Sequence, residues 1–155
     1  MTDQDEAILT GGCQCGAVRY ALATSPEHAS VCHCRMCQKA SGGPMMAFAR
    51  VKKSALRWSR GKPASFRSSS LVERHFCAAC GTPLTYNFID SPHVSVSAGS
   101  LDDPEAIRPE LQYSVERTLS WFPTVTRLPG KRLEEFITPD LAVRFVSYQH
   151  PDHDT

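Results

Sequence analysis

The chain has 155 residues, of which 41% are hydrophobic and 21% are charged, a balance typical of a folded globular domain and not of a disordered chain. Its formal net charge of +1 gives no overall field for attracting nucleic acid. No apolar run reaches the roughly eighteen residues of a membrane span, and the acidic N-terminus lacks the basic and apolar regions of a signal peptide. These features predict one cytoplasmic domain with frayed tails at residues 1–7 and 149–155.

Short alternations of apolar and polar residues recur along the chain, as is typical of an antiparallel all-β fold. In the first of them, Val18, Tyr20 and Leu22 fall on one face of a half-buried strand and Arg19 falls on the other. Similar runs, separated by Gly, Pro and Ser, follow at residues 45–51, 55–60, 71–76, 84–89 and 93–99. After them, an acidic residue before Pro104 predicts a short helical turn.

Seven cysteines are an odd number, and in a chain without an export signal they favour metal ligands over disulfides. Cys13 and Cys15 would point to one face if the chain is extended there. Cys77 and Cys80 have the spacing of a zinc knuckle, with a tight turn that ends at Gly81. Together these four thiolates predict a closed structural zinc site; the alternative is four free, buried cysteines.

The remaining cysteines, Cys32, Cys34 and Cys37, have a different spacing. The first two share a face of an extended chain, and the last two share a face if a helical turn begins there, so all three sulfurs converge. Three protein ligands leave one position open, which is the pattern of a catalytic zinc site. His33 is a candidate for that position, although it should point away from its neighbours. The alternative is reversible redox chemistry of the C-x-x-C pair.

Four segments, in this order and spacing, carry a resemblance to a known family: residues 11–20, 32–43, 76–86 and 96–105. They resemble the glutathione-dependent formaldehyde-activating enzyme and centromere protein V family. The resemblance implies a mainly β, β-tent fold with sandwich-like antiparallel sheets and few short helices. It also implies one structural zinc and a second, labile zinc on the two cysteine sets above. The domain would then span residues 11–130, between a tail at residues 1–10 and a C-terminal extension of uncertain structure at residues 131–155.

The activity that the resemblance implies is that of a carbon–sulfur lyase, which forms or cleaves S-(hydroxymethyl)glutathione at the three-cysteine zinc. Because glutathione carries two carboxylates, nearby cations are candidates for binding it: Arg35 and Lys39 first, then Arg50 and Arg74 from neighbouring strands. Gln112 departs from the family pattern, which has histidine there. A noncatalytic zinc-binding interaction module and a thiol-redox or metal-handling protein remain alternatives, and a nucleic-acid or membrane partner is not expected.

Overall fold

The computed structural model describes residues 8–155, within which the chain is mainly β, with two sheets and few helices, as predicted. The frayed tail predicted at residues 1–7 lies outside this range. The strands are β1 (Leu9–Gly12), β2 (Arg19–Leu22), β3 (His28–Cys32), β4 (Met46–Lys52), β5 (Leu56–Arg60), β6 (Ala64–Arg67), β7 (Val72–Phe76), β8 (Pro83–Phe88), β9 (His93–Ser97) and β10 (Pro109–Tyr113). The α-helices of this range are α1 (Arg35–Ser41) and α2 (Pro139–Arg144). No helix in the described residues is long and apolar enough to cross a bilayer.

The two sheets differ in size. The smaller has the strand order β1-β2-β5, and the larger has the order β10-β3-β4-β9-β8-β7-β6. Strand pairs within residues 8–155 are antiparallel except at one edge, where β10 pairs with β3 in parallel, so the antiparallel prediction is wrong at this edge. The reason is the connection: residues 98–108 cross from the end of β9 to the far edge of the sheet, so β10 enters in the direction of β3.

Strand β2 is buried on both faces, in contrast to the predicted half-buried strand. Tyr20 and Leu22 are fully buried, as expected. Arg19 was expected to face solvent but is only 2% exposed, because its Nη2 forms an ion pair with Oδ2 of Asp102 at 2.6 Å. Burying a charge is costly unless it is paired, and this pair makes a charged residue compatible with the interior.

The side chains of strand β4 alternate between the two faces of the larger sheet, one of which packs against the main core. Its Ala49 and Val51 belong to the main core cluster, together with Tyr20, Leu22, Leu84, Val94 and Val96. The alternate positions, Phe48 and Arg50, therefore lie on the opposite face, since side chains alternate along a strand. Helix α1 covers one end of that second face, where Cys37 packs with Phe48. The space left uncovered beside α1 becomes the cavity described below.

The C-terminal residues 149–155 lie against the domain, so the prediction of a frayed tail is wrong there. The backbone N–H of His150 donates to the carbonyl of Gln14 at 2.7 Å, and Nη2 of Arg19 donates to the carbonyl of His153 at 3.1 Å. Arg60 also donates to the carbonyl of Thr155. Two arginine side chains of the domain thus bind backbone carbonyls of the tail.

Candidate functional site

The four-cysteine cluster joins two tight turns that belong to different parts of the chain. Cys13 and Cys15 follow β1, and they lie in a turn and not in the predicted extended segment. The turn is closed by a hydrogen bond from the N–H of Gly16 to the carbonyl of Cys13 at 3.0 Å. The predicted turn at Gly81 is confirmed, since its N–H donates to the carbonyl of Cys77 at 2.8 Å and its φ is +79°. Two turns, each with a glycine of positive φ directly after its second cysteine, therefore point four sulfurs at one another.

The spacing of these sulfurs fits a single tetrahedral metal ion. All four lie within 4.8 Å of one another. The Sγ atom of Cys15 is 3.6 Å from that of Cys13 and 3.8 Å from that of Cys77. Zinc–sulfur bonds of about 2.3 Å at tetrahedral angles place sulfurs roughly 3.8 Å apart, close to both distances. The donor set and its dimensions therefore suit zinc, with every coordination position taken by the protein.

Neighbouring donors favour the charged form of some of these thiols. The N–H of Val18 donates to Sγ of Cys13 at 3.3 Å. Burial alone would raise the pKa of Cys80, but hydrogen bonds from the hydroxyl and N–H of Thr82 lower it to about 6. Thiolates are the form that binds a metal, so these donors assist metal binding.

The three-cysteine cluster forms at a junction between a strand and a helix. Cys32 is the last residue of β3, Cys34 is the N-cap residue of α1, and Cys37 lies in the first turn of that helix. The N–H of Cys37 donates to Sγ of Cys34 at 3.4 Å. The three sulfurs lie within 4.8 Å of one another. As the spacing predicted, an extended segment followed by a helical turn brings them together, and three thiols are a suitable partial ligand set for zinc.

His33 points away from this cluster, as expected for a residue between two alternating cysteines. Its side chain is fully buried, and Nε2 lies 2.9 Å from Oε1 of Gln112. Its ring packs edge-on against Phe122, with the ring centroids 5.7 Å apart. Gln112, where this chain differs from the family pattern, therefore contacts His33. The histidine binds this residue of β10 and not the sulfurs.

A buried arginine stands directly beside the three cysteines. Nη2 of Arg74 is 3.3 Å from Sγ of Cys37, and its guanidinium lies over the ring of Tyr86 at 4.9 Å from the centroid. Burial raises the pKa of Cys37 to about 12 although Arg74 opposes the shift. Burial also disfavours the Cys34 thiolate, but hydrogen bonds from the N–H and thiol of Cys37, the thiol of Cys32 and the N–H of Met36 outweigh it and lower the pKa of Cys34. Because three thiolates and a divalent cation carry one net negative charge, Arg74 is placed to neutralise it.

The three cysteines open onto a cavity of about 640 Å³, within the range of sites that bind small molecules. The cavity lies on the face of the larger sheet opposite the core. Residues of six strands line it, with the start of α1 at one end; the strand residues include His28, Ser30, Cys32, Phe48, Arg50, Val72, Arg74, Tyr86, Phe88, His93, Ser95 and Tyr113. The structure thus combines a cluster of thiols, two arginines and aromatic side chains around one space.

The predicted cationic residues divide into two groups. Arg35 and Lys39 are exposed on α1 and are not among the residues that line the cavity, and Nη1 of Arg35 instead donates to Oε1 of Gln38 at 3.3 Å. Arg50 and Arg74 both line it. Strand periodicity could have identified two further residues of the cavity wall. Because every second residue of a strand lies on the same face, Ser30 and His28 share the face of Cys32, and both line the cavity.

Comparisons with known proteins agree with this arrangement. The family model described as "Glutathione-dependent formaldehyde-activating enzyme" matches residues 8–117. A Schizosaccharomyces pombe protein named as an uncharacterized lyase is 32% identical over 78 residues, which cover 50% of this chain and 56% of the relative. A Halomonas elongata protein, provisionally named a glutathione-dependent formaldehyde-activating enzyme, is 32% identical over 85 residues, which cover 50% of this chain and 54% of the relative. The chain spans about half the length of these curated relatives.

A solved structure shows the same fold. The crystal structure of a Rhodobacter sphaeroides protein matches with a TM-score of 0.53 at 23% identity, over 68% of this chain and 99% of that chain. The family match extends over all seven cysteines and the whole cavity wall, from β1 to the turn after β10. It confirms the resemblance predicted from the cysteine spacing, and the chain belongs to the glutathione-dependent formaldehyde-activating enzyme family.

Proposed function

We propose that this protein is a zinc-dependent carbon–sulfur lyase that forms or cleaves the adduct of formaldehyde with glutathione or a similar small thiol. The observation that carries the proposal is the position of Cys32, Cys34 and Cys37, whose sulfurs converge at one end of a cavity of about 640 Å³. Membership of the family and the lyase name of one relative support the reaction class.

The three cysteines would hold a zinc ion with one coordination position directed to the cavity. When bound there, zinc supplies a Lewis acid that lowers the pKa of a substrate thiol. The four-cysteine cluster would hold a second, structural zinc, whose ligands are complete and leave no position for a substrate. The two clusters would therefore have different roles: the four-cysteine cluster stabilises the fold, and the three-cysteine cluster takes part in the reaction.

The residues around the three cysteines suit the addition of a thiol to a small aldehyde. In this step the sulfur–carbon bond forms, the carbonyl π electrons move to oxygen, and oxygen takes up the proton that the thiol releases. Arg74, 3.3 Å from Sγ of Cys37, offsets the negative charge of the thiolates. Tyr86 lines the cavity, and burial raises its pKa, so its phenol is protonated at neutral pH and suited to donate to the aldehyde oxygen. Cleavage of the adduct uses the same contacts in reverse.

The proposal is tested by counting zinc and measuring turnover in the same preparations. The wild-type protein should bind two zinc ions per chain, one of which a mild chelator removes, and should accelerate the reaction of formaldehyde with glutathione. Cys34→Ser should bind one ion and lose at least about 100-fold in rate, since a ligand to a catalytic metal is lost. The matched control is Ser41→Ala, which changes a hydroxyl later in α1 and should keep both ions. Full activity of Cys34→Ser, or of the chelated wild type, would contradict the proposal.

A further inference from the structure

The cavity has a second polar cluster at the end away from the cysteines. In the pairing of β3 with β4, Cys32 lies opposite Met46, and His28 lies opposite Arg50. Four residues of strand separate these two rows, which is about 13 Å at the usual rise per residue. Cys32, His28 and Arg50 all line the same cavity. A ligand that reaches from one row to the other would therefore touch the thiol cluster and Arg50 together.

The guanidinium of Arg50 is oriented by a short chain of partners. Its Nη2 lies 2.9 Å from Nδ1 of His93, and since arginine only donates, Nδ1 must accept. The proton of the neutral imidazole is then on Nε2, which lies 3.1 Å from Oε1 of Glu27. Glu27 thus fixes the tautomer of His93, and His93 fixes the guanidinium. Positioning of this kind is typical of arginines that recognise a planar anion.

Most of the hydrogen-bonding capacity of Arg50 is unused. Within residues 8–155, its side chain donates one hydrogen bond, to His93, and its buried Nε atom has no hydrogen-bond partner. Oε2 of Glu27 is 3.8 Å from Nε, an ion-pair distance that is too long for a hydrogen bond. The other terminal nitrogen, Nη1, makes no hydrogen bond within residues 8–155, and the side chain is 39% exposed on the cavity wall, so an incoming carboxylate can accept a hydrogen bond from it.

We propose that Arg50, positioned by His93 and Glu27, is a carboxylate-binding subsite that selects peptide-like thiols whose carboxylate lies far from the sulfur. This rests on the proposed function, because it assumes that the thiol is bound at the three cysteines. In an extended peptide thiol the sulfur and the most distant carboxylate can lie up to about 10 Å apart, which covers most of the distance between the rows. Small neutral thiols cannot reach the guanidinium and gain nothing from it.

The subsite is tested by calorimetric binding of glutathione, whose free thiol can bind at the three cysteines, and of its dimethyl ester. Arg50→Met should weaken binding of the acid at least tenfold and leave the weaker binding of the ester unchanged. Arg50→Lys should recover only part of the affinity, since lysine cannot form a two-pronged contact. The control Arg57→Met removes an exposed arginine from β5, outside the cavity, and should bind the acid normally. Thermal melting curves establish that each variant is folded.

Several results would overturn the subsite. They are no binding of glutathione to the wild type, equal binding by Arg50→Met, or an equal loss of acid and ester binding. None of these readouts requires turnover. If the acid binds through Arg50 but the wild type is inactive, the proposed function fails and the subsite stands. If turnover is normal and independent of Arg50, the subsite alone fails.

The role of His93 in orienting Arg50 is tested separately, by the KM and kcat of His93 variants. His93→Ala should raise KM for glutathione about threefold to tenfold with little change in kcat, because only the orientation of Arg50 is lost. His93→Asn should restore much of the affinity, since its carbonyl oxygen can accept from Arg50 where Nδ1 did. A merely structural effect would lower activity and thermal stability in both variants alike, and that result would remove His93 from the subsite.

Discussion

At the scale of single residues, the structure buries two arginines for different purposes. Arg74 lies beside a thiol at the edge of the cavity, whereas Arg19 lies between the sheet and the C-terminal tail. Arg19 donates two hydrogen bonds to Asp102, Nη1 to Oδ1 at 2.7 Å and Nη2 to Oδ2 at 2.6 Å. Thr10 donates a third to the same carboxylate at 2.5 Å. One carboxylate therefore connects β1, β2 and the loop after β9.

The substitution Asp102→Asn should destabilise the protein by about 3 kcal/mol, because it leaves the buried guanidinium of Arg19 with only the exposed carboxylate of Asp154, at 3.7 Å. The free energy of unfolding by urea measures this. The control Asp103→Asn changes the exposed neighbouring carboxylate, and asparagine is an equally good cap for the short helical turn that follows. Its stability should match the wild type. Equal stability of the two variants would show that the ion pair contributes nothing.

The same pair predicts a pH dependence of stability. Burial alone would raise the pKa of Asp102, but the hydrogen bonds from Arg19 and Thr10 lower it below its ordinary value. A carboxylate with a lowered pKa contributes stability above the unfolded-state pKa of about 3.9, and this is lost as the pH falls through the folded-state pKa. Unfolding free energies measured downward from about pH 5 should therefore fall more steeply in the wild type than in Asp102→Asn.

At the scale of elements, the two turns that carry the cysteine pairs share a glycine with positive φ but lie in different surroundings. Gly16 and Gly81 both have positive φ, +76° and +79°, which glycine adopts without steric cost. A Cβ atom at Gly81 would meet nothing within 4 Å, but one at Gly16 would come within 2.5 Å of Cδ2 of His150. The turn that carries Cys13 and Cys15 therefore also holds the C-terminal tail.

Gly16→Ala should cost more stability than Gly81→Ala. Both variants lose about 1 kcal/mol from backbone strain, and Gly16→Ala should lose roughly another 1 kcal/mol through the displaced imidazole. Urea denaturation measures both. Removal of residues 149–155 provides the control, because the difference between the two glycine variants should then disappear. A difference that persists in the shortened protein would mean that the tail contact is unimportant.

At the scale of the whole molecule, the four-cysteine cluster connects the two sheets. Cys13 and Cys15 follow β1 of the smaller sheet, and Cys77 and Cys80 lie between β7 and β8 of the larger one. A metal ion bound there would close a loop of more than sixty residues, and its binding would add to the free energy of folding. The three-cysteine cluster would have no such role, since its cysteines come from adjacent elements.

Cys80→Ser should therefore release zinc and unfold the domain, whereas Cys34→Ser should remain folded. Near-ultraviolet circular dichroism and thermal melting compare the two variants, each of which replaces one thiol of a cluster by a hydroxyl. Treatment of the wild type with a mild chelator should resemble Cys34→Ser. A folded, metal-free Cys80→Ser protein would show that the four-cysteine cluster does not stabilise the fold.

Sequence periodicity identified six of the strands but missed β1, β3, β6 and β10. All six predicted runs correspond to strands, namely β2, β4, β5, β7, β8 and β9, and the predicted turn at Pro104 forms. Strands β1, β6 and β10 lack an alternating pattern: β1 contains two glycines, and every residue of β10 is exposed. Their strand character comes from pairing with neighbours, which local propensity does not report.

The sequence by itself determined the two cysteine sets and the family, because chelating spacings such as C-x-C-x-x-C are local and bring thiols together within one turn or one strand end. It did not determine which arginine or lysine side chains line the cavity beside the thiols. Arg35 and Lys39 are nearest along the chain, yet α1 leaves them exposed, while Arg50 and Arg74 reach the cavity from distant strands. Only the tertiary structure decided this, because the wall of the cavity is a row across the sheet, and the pairing of strands that builds such a row depends on the packing of the whole chain.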